Sequence, residues 1–135
     1  MKVTGGCYCG KLRYEAEGEP MMRGLCHCRA CQYFSGGGAN VAMAMPKAGF
    51  RYTQGEPKAF ARDDLESPVT REFCGDCGTS ILAKPPMIPD LVVLKVGTLD
   101  DPAEFGKPDF AFFCEDRQAF QYLPDDLPTF DQFPG

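Results

Sequence analysis

Apolar and polar residues alternate along several short segments of the chain. Residues 11–17 (KLRYEAE) alternate apolar side chains with charged ones, and residues 40–45 (NVAMAM) repeat the two-residue period. This alternation is typical of a strand with one buried face. Residues 50–62 (FRYTQGEPKAFAR) predict a hairpin, because the Gly and Pro within 54–57 interrupt two strand-like runs.

Four further segments predict strands, and one predicts a helix. Residues 68–73 (PVTREF) and 79–83 (TSILA) lie on either side of a turn rich in Cys and Gly. Residues 91–96 (LVVLKV) and 110–114 (FAFFC) predict buried strands, since they are dense in β-branched or aromatic side chains. No window has a long helical period, and the best helical candidate is the one or two turns after Cys28.

Short elements separated by Gly and Pro predict a mainly β fold with at most one short helix. The 135 residues suit one domain, 1–135, without a linker that would divide it. Residues 85–89 (PPMIP) and the acidic, Pro-rich tail at about 122–135 are expected to be loops. The placement of Phe130 and Phe133 predicts that the tail docks on the domain, with disorder as the alternative.

Composition narrows the functional class. The 14 basic residues are outnumbered by 19 acidic ones, and this net charge of −5 disfavours nucleic acid as a partner. No apolar run approaches the roughly 20 residues of a membrane span. The start of the chain, MKVTGGCYCG, lacks the apolar stretch of a signal peptide. We therefore expect a cytoplasmic protein with no membrane partner, and the oligomeric state stays open.

Eight cysteines carry the strongest chemical signal. Seven of them fall into three clusters, and the eighth, Cys114, stands alone. The clusters are Cys7 with Cys9, Cys26 with Cys28 and Cys31, and Cys74 with Cys77. Thiols this close in sequence bridge one another poorly, and a reducing compartment favours metal binding over a disulfide framework. Zinc is the usual ion, and iron–sulfur is the alternative, although the chain lacks a C-x₂-C-x₂-C run.

Glycines directly follow Cys9, Cys74 and Cys77. A glycine at such a position lets the backbone turn tightly and aim its N–H groups at the sulfur, as in a zinc knuckle. Together with Cys7, these residues would form a four-thiolate site that ties the N-terminal strand to the middle of the chain. Four protein ligands leave no open position, so we expect this zinc to be structural.

The segment 26–32 (CHCRACQ) lacks such glycines, and its spacing brings three sulfurs around one ion. His27 is a poor fourth ligand, because both of its neighbours already bind. The fourth ligand is Cys114, water or a substrate thiolate. Three protein ligands with one exchangeable position form the pattern of a catalytic zinc.

Five motifs then occur in order along nearly the whole chain. They are G-x-C-x-C-G at 5–10, C-H-C-x₂-C-x₄-G at 26–36, F-C-x₂-C-G-T at 73–79, V-G-T-L-D at 96–100 and D-D-L-P-x-F at 125–130. Together they resemble the GFA family, which is named for glutathione-dependent formaldehyde-activating enzyme and includes centromere protein V.

The resemblance implies a zinc-containing β-tent fold with two zinc ions per chain. It implies two ligand sets: Cys7, Cys9, Cys74 and Cys77 for the structural zinc, and Cys26, Cys28 and Cys31 for the catalytic zinc. The implied activity is that of a carbon–sulfur lyase with glutathione as cosubstrate. Such an enzyme forms or cleaves S-hydroxymethylglutathione, the adduct of glutathione and formaldehyde.

Zinc chemistry suits this activity, because a free thiol with a pKa of about 8.5 is mostly protonated at neutral pH and zinc lowers that pKa. Arg29 is a candidate by position for binding the carboxylates of glutathione, and a solvated loop arginine is the alternative. The chain departs from the family at Ala111 and Phe120, which stand where a His and a Trp are common. The substrate is therefore open, and a non-catalytic, zinc-stabilised binding module is the alternative function.

Overall fold

Residues 1–134, which a computed structural model describes, form ten strands, one α-helix and four 3₁₀ turns. The strands are β1 (Lys2–Gly6), β2 (Arg13–Glu17), β3 (Met22–Cys26), β4 (Asn40–Pro46), β5 (Phe50–Gln54), β6 (Lys58–Phe60), β7 (Thr70–Phe73), β8 (Ser80–Lys84), β9 (Leu91–Lys95) and β10 (Phe110–Phe112); the helix is α1 (Arg29–Ser35). The predicted mainly β class with one short helix is confirmed.

The strands lie in two sheets. A three-stranded antiparallel sheet has the order β1-β2-β5, and a seven-stranded sheet has the order β10-β3-β4-β9-β8-β7-β6. Neighbours in the larger sheet are antiparallel, except that β10 runs parallel to β3. The strand β10 therefore reaches β3 through a long crossover, which brings the end of the chain beside the CHCRACQ segment.

The main core lies between the two sheets. The predicted alternation buries Leu12, which directly precedes β2, and Tyr14 and Ala16 on β2; their side chains are 2%, 1% and 0% exposed. Met43 and Met45 on β4 belong to the same cluster and are fully buried. Full burial of a large apolar side chain contributes about 1.5–3 kcal/mol, so this inter-sheet layer holds the two sheets together.

The seven-stranded sheet also buries part of its other face. Ala42 and Ala44 of β4 pack there with Val93 of β9 and Ala83 of β8. The strands β4 and β9 are therefore covered on both faces, which explains why their sequences are apolar at nearly every position.

The hairpin predicted over residues 50–62 is wrong. The strand β5 pairs with β2, whereas β6 pairs with β7 in the other sheet. The two segments differ in burial: Phe50 and Tyr52 pack in the core, with the Phe50 ring 5.4 Å from that of Tyr14, whereas every residue of β6 is exposed. Because they belong to different layers, the turn at Gly55 carries the chain from one sheet to the other instead of pairing its two sides.

The helix α1 begins directly after Cys28, as predicted. The Cys28 sulfur accepts a hydrogen bond from the backbone N–H of Cys31 and so acts as the N-cap. The helix ends at Gly36, whose φ of +79° is the left-handed conformation that glycine adopts without strain. Within the described residues, no helix has the length and apolar character needed to cross a membrane.

The C-terminal tail docks along β10. Its backbone pairs with Ala111, whose N–H donates to the Pro128 carbonyl and whose carbonyl accepts from the Phe130 N–H, both at 2.9 Å. The ring of Phe130 lies edge-on to Phe110, with centroids 5.9 Å apart. The spaced phenylalanines thus anchor the tail, whose last residue, Gly135, lies outside the described residues.

We expect Phe130→Ala to destabilise the fold by about 1–2 kcal/mol, less than the ~3–5 kcal/mol of a fully buried Phe, because Phe130 is half-buried. Thermal melting of the zinc-loaded protein measures the change. The matched control is Phe60→Ala on β6, where the side chain is 49% exposed and the expected change is small. Equal losses for both variants would contradict a docked tail.

Candidate metal centres

Two tight turns bring the first cysteine cluster together. One turn follows β1, and the other connects β7 to β8. In each, the N–H of the first cysteine donates to a carbonyl five residues later: Cys7 to Leu12 at 3.1 Å, and Cys74 to Thr79 at 2.9 Å. The Tyr8 N–H donates to the Thr79 hydroxyl at 3.1 Å and links the two turns directly.

Glycine makes both turns possible. Gly10 has φ +82° and Gly78 has φ +81°, and each donates its N–H to the carbonyl of the first cysteine of its turn. The expectation of tight turns after Cys9 and Cys77 therefore holds. Gly75 has a different role, because a Cβ atom there would lie 2.8 Å from the Lys58 side chain.

The sulfurs of Cys7, Cys9, Cys74 and Cys77 all lie within 4.8 Å of one another. The Cys7–Cys9 and Cys9–Cys74 sulfur distances are 3.5 and 3.8 Å. A tetrahedral ion with metal–sulfur bonds of about 2.3 Å places its sulfurs about 3.8 Å apart, so the four residues fit a zinc ion.

Further groups of these turns act on the sulfurs. The Leu12 N–H donates to the Cys7 sulfur at 3.2 Å, and the Cys77 N–H points at the Cys74 sulfur at 3.5 Å. The Thr79 hydroxyl, 3.2 Å from the Cys77 sulfur, is the main cause that lowers the pKa of Cys77 to about 5. The Thr79 contact thus stabilises the thiolate of Cys77, the form of cysteine that binds a metal.

The second cluster consists of Cys26, Cys28 and Cys31, whose sulfurs also lie within 4.8 Å of one another. Cys26 ends β3, Cys28 caps α1, and Cys31 lies in the first turn of that helix. Among residues 1–134, no further His, Cys, Asp or Glu ligand atom joins this group. Three soft donors in this arrangement fit a zinc ion that keeps one position for an exchangeable ligand.

The residues considered as a fourth ligand lie elsewhere. Cys114 begins a 3₁₀ turn and donates its N–H to the Phe130 carbonyl at 3.0 Å, so its place is beside the tail. The His27 side chain is 1% exposed, and its Nδ1 has no hydrogen-bond partner within the protein. Burial lowers the pKa of His27, which favours a neutral imidazole outside the sulfur group.

The three thiols share their protons unequally. Hydrogen bonds with Cys26 and then with Cys31, together with the Arg71 charge, lower the pKa of Cys28 to about 2. The same contact with Cys28 raises the pKa of Cys26. The mutual hydrogen bonds of the three sulfurs therefore favour a thiolate at Cys28.

Two cations that the sequence analysis missed lie near the second cluster. Lys95 ends β9, and its Nζ donates to the Asn40 Oδ1 at 3.0 Å. Arg71 on β7 lies over the Phe34 ring, 4.2 Å from its centroid. The signal for Lys95 was a charged residue inside the otherwise apolar run LVVLKV.

Arg29, the predicted cation, faces a different environment. Its guanidinium donates to the Gln32 Oε1 and lies 5.0 Å from the centroid of the Tyr33 ring. Tyr33 is 77% exposed, so Arg29 lies on the outer surface of α1. This arrangement matches the alternative of a solvated arginine.

Gln32 fixes α1 to the rest of the domain. Its side chain is 4% exposed, and its Nε2 donates to the His27 and Asp116 carbonyls, both at 2.9 Å. The helix that carries Cys31 is thereby held against β3 and the C-terminal segment. The sequence gave no reason to single out Gln32, because its role depends on contacts 84 residues apart.

The two departures from the family differ in burial. Ala111 is fully buried between β3 and the tail, where its register partners are Leu25 and Thr129. Phe120 is 63% exposed and lines an open cleft of about 390 Å³ with His27 and the glycines at 36–38.

These features define a two-sheet β protein with two cysteine clusters, one of four sulfurs and one of three. A sequence model of GFA, the glutathione-dependent formaldehyde-activating enzyme family, matches residues 2–116. The chain therefore belongs to this family. The crystal structure of a Rhodobacter sphaeroides protein has a similar fold, with 19% identity and a TM-score of 0.63 over 78% of this chain and 97% of that one. No curated protein matches the chain.

We expect Cys74→Ser and Cys31→Ser to differ in stability. Cys74 is 2% exposed and belongs to the main core, so its loss should remove the first metal and unfold or strongly destabilise the domain. Cys31 is half-buried in the first turn of α1 and lies outside the main core, so its loss should leave the fold largely intact. Melting temperatures measure both effects, and equal values would refute this division between the clusters.

Proposed function

We propose that the chain is a zinc-dependent carbon–sulfur lyase that forms or cleaves the adduct of a thiol, such as glutathione, with an aldehyde. Formaldehyde is the aldehyde that the family name implies. The proposed reaction site is the cluster of Cys26, Cys28 and Cys31. We also propose that the protein works in the cytoplasm on small molecules and has neither a nucleic-acid nor a membrane partner.

The observation that carries this proposal is the difference in ligand number between the two clusters. The first cluster has four sulfurs and a complete tetrahedral set, whereas the second has three. A zinc ion in the second cluster therefore has room for a ligand from solution, which a saturated structural site lacks. The family match adds the chemical class of that ligand, a thiol.

The reaction balances without a redox partner. In the forward direction the thiol loses its proton to solvent, its sulfur forms a bond to the carbonyl carbon, and the carbonyl oxygen takes up a proton as its π bond breaks. A zinc ion held by the three cysteines would supply the positive charge that lowers the pKa of the thiol. The strand β3 and the helix α1, the latter fixed by Gln32, hold the three cysteine sulfurs in place.

Zinc and glutathione content test the open position. We expect about two zinc ions per chain after purification without chelator. After exposure to excess glutathione and dialysis, either glutathione remains bound or zinc falls toward one ion per chain, because only the second cluster, with three sulfurs, leaves a coordination position for a thiol. Elemental analysis and a glutathione assay measure both quantities. Two retained zinc ions with no bound glutathione would indicate a closed site and favour a binding module.

The variant Cys28→Ser should lose one zinc ion and lower the turnover by roughly 100-fold or more, since even residues that only support metal ligands contribute 10–100-fold. NMR exchange between formaldehyde and its glutathione adduct measures the rate above the spontaneous reaction. The control is Cys114→Ser, which should retain both zinc content and rate. The catalytic hypothesis would be falsified by a Cys28→Ser variant that lost one zinc ion and kept full turnover.

A further inference from the structure

Lys95 and Cys26 lie on the same face of the seven-stranded sheet. In the strand register Cys26 is opposite Asn40, and Lys95 is opposite Ala42, two residues further along β4. Directly paired residues and residues two apart point to one face, so the cysteine and the lysine flank Asn40. The Lys95 Nζ donates to the Asn40 Oδ1 at 3.0 Å, and Asn40 is only 6% exposed.

A half-buried ammonium at this position needs a compensating negative charge. Burial is the main cause that lowers the pKa of Lys95, and the Arg71 charge lowers it as well, whereas the nearby thiolates, with Cys31 first, act in the opposite direction. The Lys95 charge is thus coupled to the three-sulfur group, and Asn40 keeps it from turning to solvent.

The charge balance of the site explains what Lys95 would do. Three thiolates around one divalent zinc ion carry a net charge of −1, and a fourth thiolate from a substrate would make it −2. This additional negative charge is unfavourable in a partly buried site unless a cation is fixed nearby. A neutral fourth ligand, such as water or imidazole, brings no such cost.

We propose that Lys95, held in place by Asn40, makes the site of Cys26, Cys28 and Cys31 prefer an anionic thiolate over a neutral fourth ligand. This inference rests on the proposed function, because it requires an open position there. Lys95 is a positioning residue, since it acts through its charge and forms no bond with the substrate. Arg71, held over Phe34, contributes a second positive charge on the Cys28 side.

Calorimetric titration of the zinc-loaded protein at one neutral pH tests the proposal with three probes: glutathione, 2-mercaptoethanol and imidazole. The variants are Lys95→Met, Lys95→Arg and Asn40→Ala. A fixed opposite charge a few ångströms away favours an anionic form about tenfold or more. Lys95→Met should therefore lower the affinity for both thiols about tenfold and leave the affinity for imidazole unchanged. Lys95→Arg should restore most of the thiol affinity.

The control is Lys107→Met, in an exposed loop, which should not change any of the three affinities. An equal loss of affinity for imidazole and for the thiols would overturn the proposal, because it would indicate that Lys95 has a structural role. A loss of affinity for glutathione alone would also overturn the proposal, since Lys95 would then bind a carboxylate of glutathione. Unchanged thiol affinity in Lys95→Met would do the same.

Two measurements keep the test decisive. Zinc content is determined for every variant. If Lys95→Met loses the second zinc, the test rests on Asn40→Ala, because this variant frees the Lys95 ammonium without removing its charge. We expect Asn40→Ala to lower the affinity for both thiols by a smaller factor than Lys95→Met. A wild-type protein that bound neither thiol would overturn the proposed function, whereas thiol binding that ignored Lys95 would overturn this inference alone.

Discussion

The convergence of four cysteine sulfurs from two distant turns is the constraint on which the structure depends. Cys9 and Cys74 are 65 residues apart in sequence, and their sulfurs are 3.8 Å apart in space. Four thiolates at this distance repel one another strongly, so the arrangement is stable only with a cation among them. Because one turn belongs to the three-stranded sheet and the other to the seven-stranded sheet, a cation bound by the four sulfurs would also fix how the two layers meet.

The second cluster is built differently from the first. With the layers fixed, β3 and β4 hold Cys26 and Asn40 in register, and α1 adds the remaining two sulfurs from the same short segment. The first cluster joins elements remote in sequence, whereas the second is nearly local. A local cluster contributes little to closing the chain, which leaves its geometry free to serve a ligand.

Much of the fold and the grouping of seven cysteines into two clusters could be predicted from the sequence, because strand alternation and cysteine spacing are local signals. The prediction failed where tertiary pairing decides: the segment 50–62 splits between two sheets, and β3 was missed because MRGLC has no regular alternation. Arg29 was preferred for its position beside Cys28, but only the strand register brings Lys95 near the sulfurs. No local sequence pattern determines whether the clusters bind zinc or which substrate they serve.

The docked tail has a consequence for how the molecule behaves in a crowded solution. The strand β10 ends the larger sheet, and an unpaired outer edge of that kind is a template for adding a strand from another chain. The backbone of residues 128–130 occupies the hydrogen-bonding groups of Ala111 on that side. At the opposite end, β6 is only three residues long. The acidic tail thus protects the sheet from edge-to-edge aggregation, in addition to any role beside the sulfur site.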